Sequence, residues 1–222
     1  MRQLPLAIGP TPATSFDSYL AGENAAALEH LRALGQRSPP VYLWGPSGSG
    51  KTHLLHALAD AWQARGERVA WFTPSDAPPW AHHDAWPLIV FDECDGFDAA
   101  QQQAAFALFI DATDAGSTVL AAGRVPPVDL PLREDLRTRL AWGVVHALQP
   151  LAEPEARAVL RREADHRGIF LSDDVMGYLL TRFDRDLKHL MALLDRLDEF
   201  ALANKRAVTV PLLKQMLIEE GE

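Results

Sequence analysis

The stretch VYLWGPSGSGKTHLL, residues 41–55, constrains this chain more than any other. Its apolar opening, Val41 to Trp44, is short and bounded by turn residues, as a buried strand is. It runs directly into GPSGSGKT, Gly45 to Thr52, a match to the phosphate-loop pattern G-x-x-x-x-G-K-[ST]. Glycines there let backbone N–H groups turn inward around phosphate oxygens, and the helix that follows presents its positive N-terminus. Lys51 is placed to reach the terminal phosphates and Thr52 to hold Mg²⁺. Pro46, Ser47, Gly48, Ser49, Gly50 and His53 complete the candidate nucleotide-contacting set. A strand, a glycine-rich loop and a helix must meet at one point, which predicts an α/β fold.

The rest of the chain fits that fold. Helical spacing runs from Asn24 to Leu34, and again from Thr52 to Arg65. Strands are predicted at Arg68 to Phe72, Leu88 to Phe91, Ser117 to Ala122 and Val144 to Leu148. Further helices are predicted at Asp98 to Thr113 and around Arg133 to Leu140. Strands alternating with helices imply a parallel sheet covered on both faces. Between Thr73 and Pro87 four prolines leave an irregular loop. From Glu153 onward only helices are expected: Glu153 to His166, Asp173 to Arg182 capped by Ser172, Asp186 to Ala203 capped by Asp184, and a last one capped by Thr209. This divides the chain into a tail over 1–12, an α/β nucleotide-binding domain over 13–149 and a small helical lid domain over 150–222.

LIVFDECD supplies the second half of a Mg-nucleotide site. Its apolar strand projects Asp92 toward the metal, and Glu93 stands where a water could be oriented for attack on a γ-phosphate. Phosphoryl transfer is often completed by an arginine from a neighbouring subunit, and DLRTRLAWG offers Arg137 and Arg139 at the end of a short helix. A solvated basic helix end is the plain alternative. Arg185 opens a later helix, where a cation opposes the helix dipole. His82, His83 and Asp84 read as a solvated loop, because no spaced second pair makes a metal site. Trp62, Trp71 and Trp142 read as core, whereas Trp80 and Trp86 either form exposed contacts or pin the proline-rich loop.

Composition narrows the partners. The 222 residues carry a formal net charge of -9, which disfavours broad binding to a phosphate backbone. The single cysteine, Cys94, excludes an internal disulfide framework. With no leader pattern and no apolar run of about 18 residues, a cytoplasmic protein is expected. The opening RQLPLAIG is unusual, because it offers Leu4, Leu6 and Ile8 where no helix or sheet stands ready to receive them.

Taken in order, the phosphate loop, VFDE, DLRTRLAWG and a helical region with FDRDL resemble the AAA+ ATPases. Within them they resemble the branch of the replication initiator DnaA, and most closely the Hda group of regulatory inactivators of DnaA. The resemblance implies ADP or ATP with Mg²⁺ as ligand, Tyr19 and Leu20 of FDSYLAGEN near the adenine, and Arg185 near the phosphates. It implies Arg139 as a finger acting in trans on a DnaA protomer. It also implies that QLPLA docks on the sliding clamp, the β subunit of DNA polymerase III, with Gln3 as polar anchor and Leu4 and Leu6 as apolar ones. A homo-oligomer remains open. Gly123 is followed by Arg124 and Val125 where the family places Asp then Arg, so a γ-phosphate sensor is altered and intrinsic hydrolysis is in doubt. No basic helix-turn-helix follows the helical region, so sequence-specific DNA binding is not expected. Two rival readings predict different behaviour: a self-contained ATPase that loads or remodels a helicase, and a non-catalytic adaptor stabilised by nucleotide.

Overall fold

The computed structural model describes residues 14–183 and 187–220. Gln3, Leu4 and Leu6 therefore lie outside the described residues, as do Arg185 and the expected cap Asp184. A five-stranded sheet carries the fold, with strands β1 (Val41–Trp44), β2 (Val69–Phe72), β3 (Leu88–Phe91), β4 (Thr118–Gly123) and β5 (Val144–Ala147) in the order β2-β3-β4-β1-β5. Every neighbouring pair is parallel. The helices are α1 (Ala25–Ala33), α2 (Lys51–Gln63), α3 (Ala99–Ala115), α4 (Glu134–Ala141), α5 (Glu153–His166), α6 (Asp173–Arg182), α7 (Leu187–Asn204) and α8 (Val210–Glu220).

Successive side chains of a strand point to opposite faces, and the two central cores divide accordingly. Ile89 and Phe91 of β3, with Val119 and Ala121 of β4, join Leu108 and Phe109 of α3 and Leu136 and Leu140 of α4. Leu88, Val90, Leu120 and Ala122 face the other way, onto Leu31 of α1 and Leu54, Leu55, Leu58 and Trp62 of α2. Both faces are covered, so β3 and β4 are buried along their whole length, as strands inside a parallel sheet must be. The edge strand β5 alternates between half-buried and exposed. A third core unites α5 to α8 through Leu160, Leu179, Leu193, Leu197 and Leu213.

Local chemistry sets the helix ends. Asp98 caps α3 through a reciprocal box with Gln101, in which each side chain accepts from the other's backbone N–H. Ser172 accepts from the Val175 N–H at the start of α6, and Thr209 from the Leu212 N–H at the start of α8.

The tryptophans correct the sequence reading in part. Trp62 is buried as expected, but Trp71 is half-buried and stacks on His56 with ring centroids 4.3 Å apart. Trp142 is not core: it is 68% exposed, because α4 ends on it and the chain turns into the edge strand. Trp80 pins the proline-rich loop by packing between Phe72, Phe91 and Phe97. Gln101 holds the same loop by donating to the Pro74 and Asp76 carbonyls.

Candidate nucleotide site

The phosphate loop leaves the C-terminal end of β1 and closes on the N-terminus of α2, where no side chain caps the helix. The first turn of α2 therefore directs its backbone N–H groups and a partial positive charge into the loop. Lys51 arches back over it, its Nζ donating to the carbonyls of Gly45 at 2.7 Å and Pro46 at 2.8 Å. Gly50 has φ +88°, and a Cβ there would stand 2.6 Å from the Tyr19 ring, so the position requires glycine twice over.

β3 brings up the acid. Asp92 is buried; its Oδ2 accepts from Thr52 Oγ1 at 3.0 Å and its Oδ1 from the Glu93 N–H at 3.0 Å. Burial pushes this carboxyl above the usual Asp range, although both hydrogen bonds oppose the shift. A hydroxyl and a carboxylate meeting beside a phosphate loop are the oxygen donors that a nucleotide-borne Mg²⁺ needs, so the residues present fit that group. Glu93 is exposed at the next position, with φ +52°. Among the described residues no cluster of three His, Cys, Asp or Glu could hold a metal by itself.

β4 lies between these two elements, and the Gly45 N–H donates to the Gly123 carbonyl at 3.3 Å. Arg124, where the family's pattern is altered, is tied to Asp95. Its N–H donates to Asp95 Oδ1 and its guanidinium lies 3.4 Å from Oδ2. Tyr42 and Cys94 are buried together beneath this end of the sheet, and burial pushes both their hydroxyl and thiol pKa up, leaving Cys94 an unreactive thiol.

The leading segment closes the other side. Tyr19 lies half-buried against Gly50, with its hydroxyl donating to the Ser49 carbonyl, while Leu20 is exposed. His53 Nε2 lies 3.1 Å from the Ser15 carbonyl and 3.3 Å from Ser18 Oγ, and burial holds its pKa below the usual histidine value. A residue missed in the sequence joins this group. Asn24, buried, donates to the Tyr19 hydroxyl at 3.1 Å and forms a two-way clasp with Gln149, donating to its carbonyl and accepting from its N–H, both at 2.8 Å. An asparagine before a helix reads as an N-cap, yet Asn24 makes no side-chain cap bond to α1.

Arg139 is not brought to this site. It sits at the C-terminal end of α4, next to the start of β5 and to Pro40, the residue before β1, and so at the opposite end of the strands from the phosphate loop.

Comparison with known proteins places the chain. Residues 12–76 match the bacterial DnaA ATPase domain, and residues 153–217 match the lid domain of Hda. Among solved structures, domain III of the Thermotoga maritima replication initiation protein DnaA superposes with a TM-score of 0.77 at 19% identity, over 94% of this chain and 97% of that one. AMPPCP-bound DnaA from Aquifex aeolicus gives 0.70 at 18% identity, over 85% of this chain and 66% of that one. The Thermotoga maritima RuvB Holliday junction branch migration motor gives 0.66 at 18%, over 93% and 72%. The chain thus carries a segment similar to the DnaA ATPase domain and a segment similar to the Hda lid, on the AAA+ fold that it shares with the DnaA and RuvB structures.

Proposed function

We propose that this chain is a negative regulator of chromosomal replication initiation, which docks on the sliding clamp and promotes ATP hydrolysis by DnaA. The observation that carries the reading is the Hda lid match over residues 153–217, behind a segment of the DnaA ATPase type. In this reading the phosphate loop, Thr52 and Asp92 hold ADP with Mg²⁺, and Tyr19, Leu20 and His53 line the side next to the base. Bound nucleotide supplies a phosphate charge that Lys51 and Arg185 answer, setting the lid. Gln3, Leu4 and Leu6 tether the chain to the clamp. Arg139 enters the ATP site of a DnaA protomer, where a cation aimed at charge developing on the transferred phosphoryl group lowers the barrier.

The test is ATP hydrolysis by the cognate initiator with this protein added, with and without DNA-loaded clamp. Stimulation should require the clamp, should fail when Leu4 and Leu6 are changed to Ala, and should be abolished by Arg139→Ala with clamp binding intact. Full stimulation by Arg139→Ala refutes the finger. The exposed Glu93 next to Asp92 favours one second reading, a self-contained ATPase. That reading predicts substantial hydrolysis by this chain alone, lost in Glu93→Gln.

A further inference from the structure

Trp142 is the largest side chain that the fold leaves in solvent without an evident reason. One exposed aromatic residue means little by itself, since folded proteins keep much apolar surface. Three features of its setting set it apart. The guanidinium carbon of Arg139 lies over the indole ring, 5.6 Å from its centroid, and of the two arginines in DLRTRLAWG it is Arg139 that makes this contact. The two residues are three apart at the end of α4, so they share one helix face, and the Trp142 N–H donates to the Arg139 carbonyl at 3.2 Å. The stalk of the ring is also immobilised from below. A Cβ at Gly143 would run into the Pro40 backbone, and the Val144 N–H donates to the Pro40 carbonyl at 2.8 Å, so the chain at 142–144 is pressed onto the start of β1.

A long arginine side chain has many rotamers, and a finger that must be found in one of them loses rate to that search. A planar ring under the guanidinium, on a backbone packed against the start of β1, restricts the search without neutralising the charge, as a carboxylate partner would. Trp142 also lines an open hollow with Arg37, Ser38 and Asp114, and its exposure leaves this end of α4 accessible. We propose that Trp142 is a positioning residue for Arg139, holding its guanidinium extended and charged for delivery to a partner's phosphoryl group. The inference rests on the finger reading of Arg139.

Two measurements separate the inference from that reading. In solution the Arg139 side-chain N–H resonances should show an upfield ring-current shift that disappears in Trp142→Ala; absence of the shift in the wild-type chain overturns the proposal. In clamp-dependent hydrolysis by the initiator, Trp142→Ala should lower the maximal stimulated rate about fivefold with little change in the concentration giving half the effect, as loss of an exposed cation–π support implies. Trp142→Phe should restore most of that rate. Unchanged ADP affinity in Trp142→Ala shows that the variant is folded. A raised half-saturating concentration at full maximal rate makes Trp142 a docking contact and overturns the proposal, as does a wild-type profile while Arg139→Ala is inactive. If the ring-current shift is present but Arg139→Ala stimulates normally, the finger reading fails and the role of Trp142 falls with it.

Discussion

Replacing Asn24 with Ala tests whether the leading segment, the phosphate loop and the start of the helical region act as one unit. The side chain makes three hydrogen bonds: two with the backbone of Gln149, which is 125 positions away, and one with the Tyr19 hydroxyl. Typical net values of about 1 kcal/mol per bond put the loss at roughly 2–3 kcal/mol, with the Gln149 N–H and carbonyl partly recovering water because that residue is exposed. For a chain of this length such a loss lowers the melting midpoint by roughly 4–12 °C. A second effect rides on the first. Tyr19 packs on Gly50 and bonds the Ser49 carbonyl, so freeing it loosens one wall of the nucleotide site. Ligand at about 100 times its dissociation constant stabilises a protein by about 2.7 kcal/mol, and Asn24→Ala should receive visibly less from the same ADP concentration. Thermal melts of both proteins with and without Mg-ADP provide the assay. A variant that melts within about 1 °C of the wild type and gains the same shift from ADP refutes the clasp.

Three further outcomes follow from the site. Asp92→Asn should raise the midpoint at neutral pH without nucleotide, since burial disfavours the ionised carboxyl, while removing the Mg²⁺-dependent part of ADP binding; the stability gain should vanish below about pH 4, where the unfolded carboxyl is also protonated. His53 is held below its ordinary pKa, so as pH falls through about 6.5 the unfolded chain takes up the proton first and stability declines until the folded histidine also titrates. Urea midpoints from pH 7.5 to 5 should fall less steeply for His53→Asn than for the wild type, and equal slopes would contradict the assignment. Gly50→Ala should destabilise the chain and abolish nucleotide binding, because it meets both a left-handed backbone and the Tyr19 ring; wild-type affinity measured by fluorescent ADP would show that the loop relaxes.

What could be read from the sequence was what adjacent residues decide. Val41 to Thr52 encode a strand, a loop and a helix start within twelve positions, and the structure places these elements within one or two residues of that reading. Capping at Ser172 and Thr209 is equally local. The misses are pairings made only by the fold. Asn24 reads as the start of a helical stretch and instead clasps Gln149, and Arg124 finds Asp95 only because β3 and β4 are neighbours. Trp142 looks like core because tryptophan usually is, but a residue between a helix end and an edge strand has one side with nothing to pack against.

The parallel sheet also decides whose nucleotide Arg139 could serve. All strands run the same way, so the ends that carry Gly45, Asp92 and Gly123 form one edge, and the starts of β1 and β5 form the other. Arg139 belongs to the second edge, fixed there by the Gly143 and Val144 contacts with Pro40. The four residues of β1 span about 13 Å between the two edges, with a closed core on either face. No rotamer of Arg139 crosses that core, so a phosphoryl group that meets this guanidinium must belong to another chain. A chain built this way has its candidate nucleotide site at one edge and the Arg139 cation at the other. On the proposed function, nucleotide at the first edge would set the posture of the molecule while Arg139 at the second acts on a neighbour, and a loss of hydrolysis at the first would not impair the second.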